Sequence, residues 1–183
     1  AVETHRWTRE EYERMAATGL FPPDQRVELI DGIVYDMTPQ SSFHATAVRL
    51  IEKALQRVFS PETFDLRVQM PLTLDPDSQP EPDVAVVRGT TRDFRDAHPT
   101  SAVLVVEVAD SSLRHDRRRK VPLYARSGIR ELWIVDLTRS AVDVYRDPDG
   151  VAYRSTATLG RGDAVLPLAA HPGAPIPVAD LLP

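Results

Sequence analysis

Three side chains draw attention by where their charge falls: Glu107, Asp83 and Lys120. Glu107 lies inside "AVLVVEVA" (102–109), a run that is otherwise apolar and strand-like. An ionised carboxylate buried without a partner is strongly disfavoured, so Glu107 must be ion-paired, metal-bound, protonated, or set where the strand meets a cleft. Taken alone, it reads most simply as half of a structural pair with an arginine. Its company changes that reading. Asp83 follows Pro80 and Pro82 and opens the apolar run Val84–Val87; Pro82 fixes the chain's entry to that run. If the two strands are neighbours, the carboxylates share a cavity, where each raises the other's pKa unless a cation lies between them. A divalent metal with hard oxygen ligands is the simplest neutraliser. Lys120 ends the charge run "RHDRRRK", most of which reads as solvated surface. It immediately precedes Val121, Leu123 and Tyr124, and Tyr124, four positions on, shares its helix face.

The elements that must position these groups follow from pattern. "TREEYERMAATG" reads as a short helix, with capping-box spacing at Thr8 and Glu11 and a stop at Gly19. "RVELIDGIVYDM" reads as a hairpin about Asp31-Gly32. From about Phe43 to Phe59, Val48, Ile51, Leu55 and Val58 recur at helical spacing behind a cap at Ser41 or Ser42. Strands are expected around 65–74, 83–87 and 102–108, with "DPDSQPEP" a loop between the first two. A helix starting near Lys120 or Val121 accommodates Pro122 in its first turn and stops near Gly128. "ELWIVD" is then a strand and "AVDVYRDPDGVAYRSTA" a hairpin. The tail "AAHPGAPIPVADLLP" is expected to wrap the surface and end in a helical turn. The order predicts one mixed α/β domain over 1–183, with an N-terminal helix and linker (1–25) and a proline-rich tail (167–183).

Composition agrees with a globular chain: 183 residues, 42% hydrophobic, 27% charged. A net charge of -5 excludes a surface that is basic all over but leaves room for a local basic groove. With no cysteine there is no disulfide, thiolate nucleophile or cysteine–zinc site. Any metal must be held by oxygen or imidazole, which favours magnesium or manganese. No apolar signal core or membrane-length run is present, so a soluble, cytoplasmic chain with no membrane partner is expected.

In chain order, "ELIDGIVYDM", "SSFHATAV", "PEPDVAVV", "VLVVEVADSS" and "DRRRKVPLYARSGIRELWIVD" resemble the landmarks of the Uma-two family of endonucleases, within the PD-(D/E)XK nuclease superfamily. The resemblance runs from about Val27 to Tyr145, and "PIPVADLLP" is similar to the family's C-terminus. It implies a restriction-endonuclease-like fold: a central mixed sheet flanked by helices, here with added β-hairpins. It also implies a magnesium or manganese ion held by Asp83, Glu107 and the backbone carbonyl of Val108. Pro82-Asp83 matches the first half of the superfamily pattern. In the second half, Ala109 stands where the pattern carries lysine, and the resemblance moves that role to Lys120 on the next helix. Glu28 and His44 are the remaining family positions. On their residues alone they read as a hairpin-strand polar residue and a surface or capping residue. Gln69 and Tyr124 are expected at the pocket rim, and Arg114, Arg117, Arg118 and Arg119 against a nucleic-acid backbone.

The function implied is metal-dependent endonucleolytic hydrolysis of phosphodiester bonds, with nucleic acid, DNA in the first instance, as partner. Homodimers are common in the superfamily, and the late hairpin with "AVDVYR" offers an edge strand. Two alternatives stay open. A nuclease-like scaffold with weak or no catalysis could serve as a nucleic-acid-binding or regulatory module. A structural protein would fill the acidic cluster with an arginine guanidinium and have no cleft leading to it.

Overall fold

The computed structural model describes residues 3–110, 115–170 and 174–183. Helix α1 (Arg9–Ala17) begins at the expected capping box: the Thr8 hydroxyl accepts from the Glu11 N–H, and the Glu11 carboxylate accepts from the Thr8 N–H. Strands β1 (Val27–Ile30) and β2 (Ile33–Asp36) form an antiparallel hairpin. Its two turn residues, Asp31 and Gly32, both have positive φ, as a twist-matched two-residue turn requires. Gly32 has no alternative, because a Cβ there would lie 2.6 Å from that of Arg6. Helix α2 (Ser42–Gln56) is capped by Ser41 and buries Ala47, Val48, Ile51, Ala54 and Leu55 along one stripe.

Strands β3 (Phe64–Val68), β4 (Val84–Arg88), β5 (Leu104–Ala109), β6 (Glu131–Asp136), β7 (Ala141–Pro148) and β8 (Tyr153–Gly160) form one six-stranded sheet in that spatial order. Only β5 and β6 are parallel; the other neighbours run antiparallel. A parallel pair needs a crossover, and this one contains a π-helical turn (Asp116–Lys120) continuing into α3 (Val121–Arg126). Pro122 lies in the first turn of α3. One face of the sheet, with Val84, Val86, Leu104, Val106, Trp133 and Val135, packs under α2. The other, with Ala85, Val105 and Leu132, packs with Tyr124 and Ile129.

Three local expectations are corrected. The strand expected over 65–74 stops at Val68, because Gln69 takes a positive φ and turns the chain. The linker 75–82 is not a free loop: Gln79 exchanges backbone hydrogen bonds with Leu29, and the Gly32 N–H donates to Asp77. The tail does more than wrap the surface. Strand β9 (Ala164–Val165) pairs with β10 (Ile176–Pro177), and the final helical turn (Val178–Leu181) buries Val178 and Leu181 in the α2 core. Strand β7 is internal, so the edge of the late hairpin is β8.

Candidate active site

Antiparallel pairing brings the start of β4 beside the end of β5. Val84 is opposite Val106, and continuing that register by one residue sets Asp83 opposite Glu107. Opposed residues of an antiparallel pair have Cβ atoms about 5 Å apart. The two carboxylates that looked separate in sequence are therefore cross-strand neighbours. The β3–β4 register, continued likewise, sets Gln69 opposite Asp83.

Asp83 is held on both oxygens. Oδ2 accepts from the Val108 N–H at 2.8 Å, while Oδ1 is bonded to His44 Nε2 at 3.0 Å and accepts from Gln69 Nε2 at 3.3 Å. His44 is placed by the start of α2, where its own N–H donates to the Ser41 cap at 3.1 Å. Burial pushes the Asp83 carboxyl up, but the His44 bond and charge, the Val108 amide and Lys120 outweigh it, and the group lies below its ordinary value. The same pairing raises His44, through its bond to Asp83 and against its own burial.

Glu107 is 2% exposed. Its Oε1 accepts from the Tyr124 hydroxyl at 2.6 Å and lies 3.2 Å from Lys120 Nζ. Both contacts use one oxygen. Lys120 Nζ also lies 3.2 Å from Glu28 Oε2, which accepts in turn from the Glu81 N–H at 3.1 Å. Glu28 is thus fixed by the linker that docks its hairpin, and it is buried rather than an exposed hairpin residue. Asp116 joins the wall, buried, four residues before Lys120. Four buried carboxylates (Glu28, Asp83, Glu107 and Asp116) therefore crowd one ammonium. Burial raises the Glu107 carboxyl to about 8, Lys120 pulls it down, and Asp83, Asp116 and Glu28 push it up. Burial alone would lower Lys120, but Glu107, Glu28, Asp116 and Asp83 hold it above its ordinary value and keep it charged.

These groups open on a cavity of about 410 Å³ whose wall includes Glu28, His44, Asp83, Glu107, Val108 and Lys120. The structure thus brings together every residue expected in the catalytic set. Gln69 and Tyr124, expected at the rim, stand behind it: each donates to one carboxylate, and Tyr124 is fully buried. Arg117, Arg118 and Arg119 are all exposed, and Arg117 is also ion-paired with Asp143. Arg114 lies outside the described residues. Sequence reasoning missed Asp116 and His115, whose Nε2 lies 4.0 Å from Glu28 Oε1. A signal for Asp116 existed: it is the one acid in a basic run, a helical turn before Lys120. Among the described residues the cation beside Glu107 is a lysine, and a cavity opens on the cluster; both speak against the reading of an arginine-filled structural pair.

The donor set suits a hard divalent cation: carboxylate oxygens at adjacent strand ends. Among the described residues no three His, Asp or Glu side chains form a ready-made metal cage. A cation here would therefore rest on two carboxylates, with backbone carbonyl and water completing the shell.

The fold has a solved counterpart. A crystal structure titled a "putative nuclease belonging to DUF820", from Anabaena variabilis ATCC 29413, superposes with a TM-score of 0.73 over 95% of this chain and 96% of its own, at 17% identity. At that identity the likeness establishes a nuclease-like fold. The chain belongs to the Uma2 family, described as "Putative restriction endonuclease", whose model matches residues 9–179. No curated protein sequence matches the chain. Among the described residues, no helix is long and apolar enough to cross a membrane.

Proposed function

We propose that this protein is an endonuclease that hydrolyses phosphodiester bonds of DNA, with a magnesium or manganese ion held by Asp83, Glu107 and the Val108 carbonyl. The observation carrying this reading is the meeting of Asp83, Glu107 and Lys120 on one polar cavity, in a chain of this family. A cation bound there would supply Lewis-acid polarisation of the phosphoryl group and acidify a water. The protein's own residues supply the frame. Tyr124 and the Val108 amide lock the carboxylates in rotamer, so little reorganisation is needed. Lys120, anchored between Glu28 and Glu107, offsets negative charge developing on the phosphoryl oxygens. His44 is close enough to Asp83 to be oriented by it and faces the cavity, where its imidazolium would meet a phosphate oxygen. Arg118 and Arg119 remain exposed for backbone contacts, whose contribution falls steeply with salt. The test is a cleavage panel of single- and double-stranded DNA and RNA with magnesium or manganese. DNA cleavage that disappears on chelation and in Asp83→Asn is expected; cleavage unaffected by either would refute the assignment.

One observation favours a second reading. Lys120 already neutralises part of the cluster, at 3.2 Å from both Glu28 and Glu107. Such a scaffold could bind nucleic acid, or act as a regulatory module, without cleaving. Calorimetric titration with magnesium and manganese separates the two, because the binding module predicts no heat of metal binding at this cavity.

A further inference from the structure

The row of residues containing Glu107 continues across the sheet. Glu107 pairs with Ile134, Ile134 with Asp143, and Asp143 with Thr158. Paired residues share a face, so Asp143 stands on the same face as Glu107, two strands away, at about 10 Å. It is 2% exposed. Both oxygens are engaged: Arg139 Nη2 lies at 3.0 and 2.8 Å, the Thr158 hydroxyl donates at 2.7 Å, and Arg117 completes the set with an ion pair to Oδ2.

The turn Asp116–Lys120 bridges the interval between these two acids. Its last residue, Lys120, rests on Glu107, and its second, Arg117, rests on Asp143. The turn is π-helical, closed by the Val121 N–H on the Asp116 carbonyl. π turns are rare, hold one residue more than an α turn, and concentrate at functional sites. Relaxing this turn to α geometry would rotate Lys120 about the axis relative to Arg117, taking the ammonium off its line to Glu107. Asp143 is not on the cavity wall.

We propose that Asp143 is a positioning residue: through Arg117 it clamps the π-helical turn that aims Lys120 at Glu107 and the cavity. The claim about Lys120's placement stands on geometry alone. The claim about its consequence for cleavage rests on the function proposed above. Arg117 thereby changes role, from an expected phosphate contact to one arm of a clamp.

The test uses the full chain with Asp143→Asn and Arg117→Gln and has two readouts. The sequence holds two lysines, Lys53 and Lys120. Lys53 is exposed and Lys120 buried, so acetylation by an N-hydroxysuccinimide ester, followed by mass spectrometry, reports Lys120 against an internal reference. Both variants should speed Lys120 acetylation relative to Lys53 by about tenfold or more, at an unchanged melting temperature for Arg117→Gln. In the DNA cleavage assay both should lower kcat by roughly 10- to 100-fold, the effect of a misplaced catalytic group, while KM stays within about twofold. Unchanged acetylation of Lys120 in both variants overturns the clamp. So does a KM increase with a weaker salt dependence in Arg117→Gln alone, which would make Arg117 a phosphate contact. If Asp143→Asn does not fold, Arg117→Gln decides by itself, because it keeps the Arg139–Asp143 pair. A wild-type chain that cleaves nothing would refute the nuclease reading, and the labelling would still judge the clamp.

Discussion

Around β6 and β7, the buried acids each face a guanidinium: Arg146 lies against Glu131, Arg139 against Asp136, and both Arg117 and Arg139 against Asp143. Around β4 and β5, Glu28, Asp83, Glu107 and Asp116 meet one buried lysine and the His44 imidazole among the described residues. The two regions lie on one sheet, and the difference is one of charge balance rather than of burial. Arginine carries several donors on one planar group and a permanent charge: Arg139 gives Nε to Asp136 and Nη2 to both oxygens of Asp143. Lysine is a point charge and touches Glu107 through one oxygen only. The first arrangement closes an acid to any ligand. The second brings more carboxylates together than the one lysine contacts among the described residues, which suits a cation site.

The comparison is broken most severely by removing one acid from each region. Asp83→Asn should abolish cleavage, a loss on the order of 10³-fold or more, since a metal's stabilisation of the transition state is worth several kcal/mol. Its melting temperature should move little. Glu131→Ala should do the reverse in kind. It strands Arg146, the Trp133 indole N–H and the Leu168 N–H, all of which donate to Glu131, and breaking a buried pair costs about 3–5 kcal/mol. Chemical denaturation together with the cleavage assay checks both. Equal destabilisation by the two substitutions would erase the distinction drawn here.

The same contrast explains how much could be read in advance. Hairpin, helix and strand patterns placed α1, α2, β1, β2, β4 and β5 closely, because their periodicity and turn residues are local properties. The identity of Glu107 as an anomaly was legible, since a lone acid in an apolar strand is improbable without a partner. That Lys120 stands beside it was expected; that Tyr124 donates to it was not, because the hydroxyl reaches it from a crossover, and Glu28 joins the cluster only after the hairpin docks on residues 77–81. The π-helical turn was read as loop, since nothing in a run of arginines marks a five-residue turn. The ion pair of Arg117 was not legible for a related reason. Composition shows a cation, but only the β6–β7 register shows Asp143 waiting beneath it.

A smaller effect concerns pH. The Glu107 carboxyl is pushed up to about 8 in the folded state, from an ordinary value of 4.5. Between those values the native state holds more protons than the unfolded state, so stability must fall as pH rises. One such proton gives a slope of up to about 1.4 kcal/mol per pH unit. Glu107→Gln should flatten the slope and raise the melting temperature at pH 8 relative to wild type. Asp143 should behave in the opposite sense: against the pull of burial it is held below its ordinary value by Thr158, Arg117 and Arg139, and contributes stability that is lost only as pH falls. Magnesium or manganese at one hundred times Kd should stabilise the wild-type fold by about 2.7 kcal/mol, and should raise its melting temperature more at pH 8 than at pH 6. A cation effect that survives in Glu107→Gln would place the ion elsewhere.

The least effect is expected from Thr158→Val. The Thr158 hydroxyl donates to Asp143 Oδ1 at 2.7 Å, a half-buried contact that would matter if it were the acid's sole support. Asp143 keeps Arg117 and Arg139 without it, and Oδ1 still accepts from Arg139 at 3.0 Å. Valine is close in volume to threonine and leaves no donor unpaired, so the loss should be about 1 kcal/mol or less by denaturant titration. Lys120 acetylation should not change, since the clamp runs through Arg117 and not through β8. A larger destabilisation would mean that the arginine network depends on its single neutral donor. The β6–β7 acids would then be as delicately balanced as those around Lys120, and arginine pairing would no longer separate the structural acids from the reactive ones.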